Sequence, residues 1–131
     1  MIKKLFAWWD GATIGALFDI AKGGVKVGED EQGNQYFEEK VAKSGSADGV
    51  KRRWVVYHGV AEASRVPSDW HGWLHHTFEE PPTTTPLKRQ TFEQDHLPNM
   101  TGTPLAYRPK GSLSRGGETP KQIYDAWTPD A

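Results

Sequence analysis

Arg52-Arg53-Trp54-Val55-Val56-Tyr57-His58 decides the fold, because β-branched and aromatic residues follow one another there without a break, the composition of a strand. Upstream, Val25-Lys26-Val27 alternates apolar and polar, Glu29-Asp30-Glu31-Gln32-Gly33-Asn34 is a polar loop with a Gly-Asn turn, and Gln35-Tyr36-Phe37-Glu38 resumes strand composition. The two runs read as a hairpin, and residues 43–49 form a Ser/Gly/Ala/Asp loop into the third strand. Three antiparallel strands are about the fewest that make an independently stable sheet. Downstream, Pro67 opens a short helix over residues 68–77, in which Trp70, Trp73, Leu74 and Thr77 share one face at the i, i+3, i+4, i+7 spacing. The expected fold class is α+β: a small three- to four-stranded antiparallel sheet with an N-terminal amphipathic helix, one short helix and a long extended C-terminal tail.

At the start of the chain, Ile2, Leu5, Phe6, Trp9, Ala16, Leu17 and Ile20 fall along one stripe of a 3.6-residue period, and Gly23-Gly24 supplies a stop. Residues 2–21 therefore read as an amphipathic helix. Gly11 and Gly15 each weaken it by about 1 kcal/mol relative to Ala, so a bend or break is expected there. Such a stripe either covers the protein's own sheet or is offered to a partner or a membrane surface. Trp8-Trp9 beside Lys3-Lys4 suits an interfacial location, where indoles sit at headgroup level and lysine stems snorkel. The longest apolar run, Leu5-Phe6-Ala7-Trp8-Trp9, is far short of the roughly 18 residues that span a bilayer.

From Glu79 onward the character changes, with eight of the nine prolines and no helical or alternating order. Three segments result: 1–23, the N-terminal helix; 24–78, a sheet-plus-helix core; and 79–131, an extended, Pro-rich tail. A tail of low hydrophobicity cannot by itself bury enough apolar area to offset its ordering entropy. Yet Phe92, Leu97, Met100, Leu105, Tyr107, Ile123, Tyr124 and Trp127 are spaced like anchors for a partner's surface. A core of about 55 residues is itself marginal without disulfides or metal, so the chain calls for a partner.

Composition narrows the chemistry. Sixteen Lys+Arg against seventeen Asp+Glu give a net charge of -1, without the basic footprint of a nucleic-acid binder. The absence of cysteine removes disulfides, thiolate nucleophiles, cysteine zinc sites and cluster ligation together. No phosphate loop, dinucleotide fingerprint or Gly-x-Ser-x-Gly elbow occurs. His71 and His75 stand four residues apart, the spacing by which zinc metallohydrolases present two ligands on a helix, but Gly72 occupies the place of their general-base Glu. The acidic loop at residues 29–34 lacks the ligand ladder of a calcium site and reads as a solvated hairpin tip.

The order of Val27-Gly28-Glu29-Asp30-Glu31-Gln32-Gly33-Asn34-Gln35-Tyr36-Phe37-Glu38, then Arg53-Trp54-Val55-Val56-Tyr57, then Val66-Pro67-Ser68-Asp69-Trp70-His71-Gly72-Trp73-Leu74-His75 carries a resemblance. With Glu80-Pro81-Pro82, Met100-Thr101-Gly102-Thr103-Pro104, Tyr107 and Pro109 following, it resembles the alpha-subcomplex subunit twelve family of respiratory complex I, the proton-pumping NADH:ubiquinone oxidoreductase, over roughly residues 11–129. The resemblance implies a non-catalytic accessory subunit that stabilises or helps assemble the peripheral arm, in a hetero-oligomer with core subunits of that arm. Its expected location is the cytoplasmic side of a bacterial inner membrane, or the matrix side of a mitochondrial one. Flavin and iron–sulfur clusters are expected in partner subunits and no cofactor on this chain. No catalytic, cofactor-binding or metal residue is assigned, and the partner-binding candidates are Trp70, His71, Trp73, Phe92, Tyr107 and Trp127. For Trp70 and Trp73 burial in the chain's own core is the competing reading.

A short stretch between Tyr57 and Val66 and no evident import sequence imply a member of the alphaproteobacterial kind. A transient assembly factor of the same family is the alternative, and a His-dependent metal-binding protein is the alternative from a different class. The N-terminal stripe is expected to lie where the arm meets the membrane. Deleting residues 1–10 should then weaken retention of the chain on washed membranes, and unchanged retention would reject that placement.

Overall fold

The computed structural model describes residues 10–42, 49–109 and 112–115, together with residues 127 and 129. Three strands, β1 (Gly24–Glu29), β2 (Gln35–Glu39) and β3 (Arg53–Val56), form one antiparallel sheet in the order β1-β2-β3. Tyr36 faces Val55, Phe37 faces Trp54 and Glu38 faces Arg53, so the central strand sends Tyr36 and Glu38 to one face and Phe37 to the other. The β1–β2 register slips between Lys26 and Gly28, a bulge that brings Gly28 opposite Tyr36. Glycine is required at that point: a Cβ on Gly28 would lie 2.7 Å from both the Trp70 ring and the Thr83 methyl. Beyond β3, Asp10 bridges Val60, the Gly11 N–H donates to the Gly59 carbonyl at 2.7 Å and the Tyr57 N–H to the Gly11 carbonyl at 3.0 Å. The chain thus enters along the continuation of the third strand.

The expected helix over residues 2–21 is corrected to α1 (Ile14–Gly23) among the described residues; residues 2–9 of the stripe lie outside them. Gly11 has φ +77°, a left-handed conformation that no α-helix continues through, and Thr13 then caps the new start by accepting from the Ala16 N–H at 3.3 Å. The break falls at the first of the two glycines, while Gly15 is absorbed in the opening turn. α1 packs on β1 and β2 with none of its residues buried, and Asp19 reaches Arg52 at 3.6 Å.

On the Tyr36 face lies α2 (Ser68–Leu74), which Pro67 opens in an extended conformation, as its fixed φ favours. It ends three residues earlier than the apolar spacing predicts. His76 adopts φ +57°, and the Thr77 N–H turns back to the Gly72 carbonyl at 2.9 Å. The Phe78 ring then folds over Gly72, where any Cβ would overlap it. Trp70 stacks on Tyr36 with ring centroids 3.9 Å apart, and Trp73 meets both rings edge-on, 5.5 Å from Trp70 and 6.4 Å from Tyr36. With Val66 these rings are the buried core, bordered by Val27, Val55, Tyr57 and Leu74.

Arg53 locks helix to sheet. Its side chain is only 4% exposed; it pairs with Glu38 at 3.1 Å and lies over the Trp73 ring at 4.6 Å. It donates to the carbonyls of Trp73 at 2.6 Å, Phe78 at 2.9 Å and Glu79 at 3.0 Å. One planar fork therefore satisfies the end of α2 and fixes the chain that follows.

By internal packing the chain divides into two units, Met1–Pro98 and Asn99–Ala131. Residues 79–98 of the Pro-rich segment lie with the sheet, whereas the sequence reading divides the chain at residue 78. In the second unit Leu113–Arg115 forms a 3-10 turn, preceded by short turns such as the Thr103 N–H to the Met100 carbonyl at 3.0 Å.

Replacing Arg53 by Met should cost about 3 kcal/mol, because three carbonyls and a carboxylate lose a buried cation at once. Arg53→Lys should recover less than half of that, since an ammonium lacks the fork. Denaturant unfolding of the two variants checks both values.

Candidate partner-binding surface

The tip of the β1–β2 hairpin is not the solvated loop that its acids suggest. Asp30 turns inward: one carboxylate oxygen accepts the N–H groups of Gln32 and Asn34, each at 2.9 Å, and the other accepts the Asn34 amide at 2.8 Å and the Tyr36 hydroxyl at 2.7 Å. Asn34 is fully buried, donating also to the Arg65 carbonyl at 3.2 Å and accepting from the His58 N–H at 3.0 Å. An Asp with an Asn four residues on thus ties the hairpin to the segment that follows β3 and to the 3-10 turn Ala63–Arg65. Burial pushes the Tyr36 phenol well above its ordinary pKa, and donation to Asp30 adds to the effect. Tyr57 is raised by burial alone. The exposed Glu29 moves the other way, its charged form favoured by the hydrogen bond from Lys26.

The histidine pair is exposed, with the His71 and His75 rings 4.2 Å apart and tilted by 35°. Among the described residues no group of three or more His, Asp or Glu side chains is arranged to hold a metal ion. Trp70 and Trp73 are buried in the aromatic core and offer a partner almost no surface in this fold. The other candidates stand free: Phe92 is 80% exposed, Tyr107 89% and Trp127 80%. Leu97 and Leu105 are exposed as well, whereas Ile123 and Tyr124 lie outside the described residues. The sequence reading passed over Phe18, exposed on α1 together with Ile14, although their i, i+4 spacing carries that signal. These groups are not brought together into one catalytic constellation; they are distributed along the surface.

A small core with several large apolar groups left exposed among the described residues has the make-up of an interaction module. Residues 24–129 match the family described as NADH ubiquinone oxidoreductase subunit NDUFA12. NADH dehydrogenase (ubiquinone) 1 alpha subcomplex subunit 12 of Mus musculus is 34% identical over 116 residues, covering 81% of this chain and 72% of the mouse protein. The probable subunit of the same name from Arabidopsis thaliana is 34% identical over 115 residues, covering 82% of this chain and 68% of the plant one. A bacterial relative, an uncharacterized protein of Rickettsia prowazekii, is 41% identical over 64 residues, 47% of this chain and 60% of its own. The chain belongs to the NDUFA12 family.

The raised Tyr36 phenol makes stability pH-dependent on the alkaline side. Below its ordinary pKa near 10 the phenol is protonated in both states; above it the unfolded chain releases the proton while the folded chain holds it, so stability falls as pH rises. The slope should approach about 1.4 kcal/mol per pH unit for this one group. Tyr36→Phe should be less stable at neutral pH, for loss of the Asp30 bond, and flatter above pH 10; unfolding midpoints measured across that range test it.

Proposed function

We propose that this chain is a resident, non-catalytic accessory subunit of the proton-pumping NADH:ubiquinone oxidoreductase, complex I, stabilising its peripheral arm. The observation that carries the reading is the run of exposed anchors, Phe92, Leu97, Leu105, Tyr107 and Trp127, along a segment that matches a family of subunits of that enzyme. An anchor left in water contributes nothing to folding; buried on a neighbouring subunit, an aromatic ring is the kind of group that dominates interface energetics. Several anchors on one chain act together, because the first to engage holds the others at high effective concentration and slows release. The relatives are named as subunits, which favours residence over transient binding. In this reading the chain lies on the surface of core subunits, and flavin and clusters belong to those neighbours.

The test is to tag the C-terminus, solubilise native membranes in mild detergent, and stain a native gel for NADH dehydrogenase activity. Comigration with the fully assembled enzyme at fixed stoichiometry is expected. Presence only in smaller, inactive subcomplexes would replace this reading with that of an assembly factor. Trp127→Ala should lower the fraction retained in the assembled enzyme while the thermal transition of the isolated protein stays where it was.

A further inference from the structure

Residues 79–96 form a strap tied to the rest of their unit at both ends. At its start Arg53 holds the Phe78 and Glu79 carbonyls, and at its end the His96 ring bonds the Ser64 carbonyl at 2.8 Å. Between these ties the strap stands away from the hairpin tip and the start of α2, and a cleft of about 710 Å³ opens there. That volume lies in the range of sites that enclose a ligand or a short peptide segment. Pro67, Pro82, Pro86 and Leu87 supply apolar walls, with only the edge of the buried Trp70 reaching the cleft.

The charge of the lining is one-sided. Five carboxylates, Glu29, Asp30, Glu31, Asp69 and Glu93, face two cations, Lys88 and Arg89. Some of these are spent locally: Lys26 holds Glu29, Asp95 holds Arg89, and Asp30 is engaged by the turn. Asp69 accepts its neighbour's N–H at 2.8 Å, and Glu31 and Glu93 make no ion pair among the described residues. Apolar walls under an acidic rim suit a side chain with an aliphatic stem and a cationic head.

We propose that this cleft receives an extended segment of a neighbouring subunit, carrying a lysine or arginine beside an apolar residue. The inference rests on the subunit reading above and adds to it a second mode of attachment: the tail anchors reach outward, whereas here the partner reaches in.

The chain has no cysteine, so single-cysteine variants can be labelled at one place only. Glu31→Cys and Leu87→Cys are purified, labelled with a thiol-reactive photo-crosslinker and then added to membranes from a host lacking the wild-type chain, with Lys40→Cys just beyond the far end of β2 as control. Both cleft positions should cross-link to the same partner peptide, one containing Lys or Arg, and the control should not. The double variant Glu31→Lys/Glu93→Lys, whose side chains are exposed, should lose about tenfold in retention on the enzyme, and Glu31→Gln/Glu93→Gln less. Circular dichroism of both confirms that the fold is kept. If the wild-type chain comigrates with the enzyme but the cleft cross-links only to its own chain or to a peptide without a basic residue, the cleft proposal is wrong and the subunit reading stands. Unchanged retention of the double Lys variant also refutes it. If the wild-type chain is absent from the enzyme, the subunit reading fails and takes this proposal with it.

Discussion

A single buried guanidinium holds this unit together. Arg53 belongs to β3, yet its hydrogen bonds go to the last turn of α2 and to the two residues where the strap begins, while its plane covers Trp73. A cation so enclosed is costly unless nearly every donor is used, and here Glu38 and three carbonyls take them. The sheet, the helix and the strap therefore meet at one residue. The Trp73 carbonyl already accepts the His76 N–H at 3.0 Å, so what Arg53 adds there is the tie across to the sheet and onward to the Phe78 and Glu79 carbonyls.

The hairpin tip, bonded to the Tyr36 hydroxyl, repeats the principle at another edge of the aromatic cluster. Asp30 and Asn34 spend their polar atoms on the turn, on the Tyr36 hydroxyl and on two neighbouring backbones, so a loop rich in acids becomes a fixed wall. With few apolar residues to bury, the domain gains definition from polar side chains that bond backbone groups. Several of its large apolar residues, Phe18, Phe92 and Leu97 among them, are left for the outside.

What could be read from the sequence follows from how each element is encoded. The strands, the hairpin and the start of α2 were legible because β-branched runs, a Gly-Asn turn and Pro67 are local signals. The break at Gly11 was legible from glycine's poor fit in a helix, and family membership from the block around Trp70 and Trp73. The end of α2 was not, since it depends on the Phe78 ring lying over Gly72 and on a left-handed His76, neither of which periodicity reports. Attachment of residues 79–96 was hidden for a related reason: Arg53 and His96 grip backbone carbonyls, and a carbonyl has no letter in the sequence. Asn34 was misjudged because a polar residue in a polar loop looks solvated until its partners are known. For the candidate surface, the exposed tail anchors were visible as isolated aromatics in a Pro-rich stretch, whereas the cleft required the strap's path through space.

The junction of α1 and β1 has a mechanical consequence. The helix ends at Gly23 and the strand begins at Gly24 with no residue between them; the Gly24 N–H bonds the Ile20 carbonyl, and the Gly23 carbonyl accepts from the Lys40 N–H at 3.0 Å. A Cβ on Gly24 would press on Ile20 from 2.9 Å, so strand and helix are in near contact at the joint. This is a weld rather than a hinge. A torque applied to α1 passes directly into the edge of the sheet, and whatever grips the helix also sets the angle at which the whole sheet, and the strap tied to it, is presented.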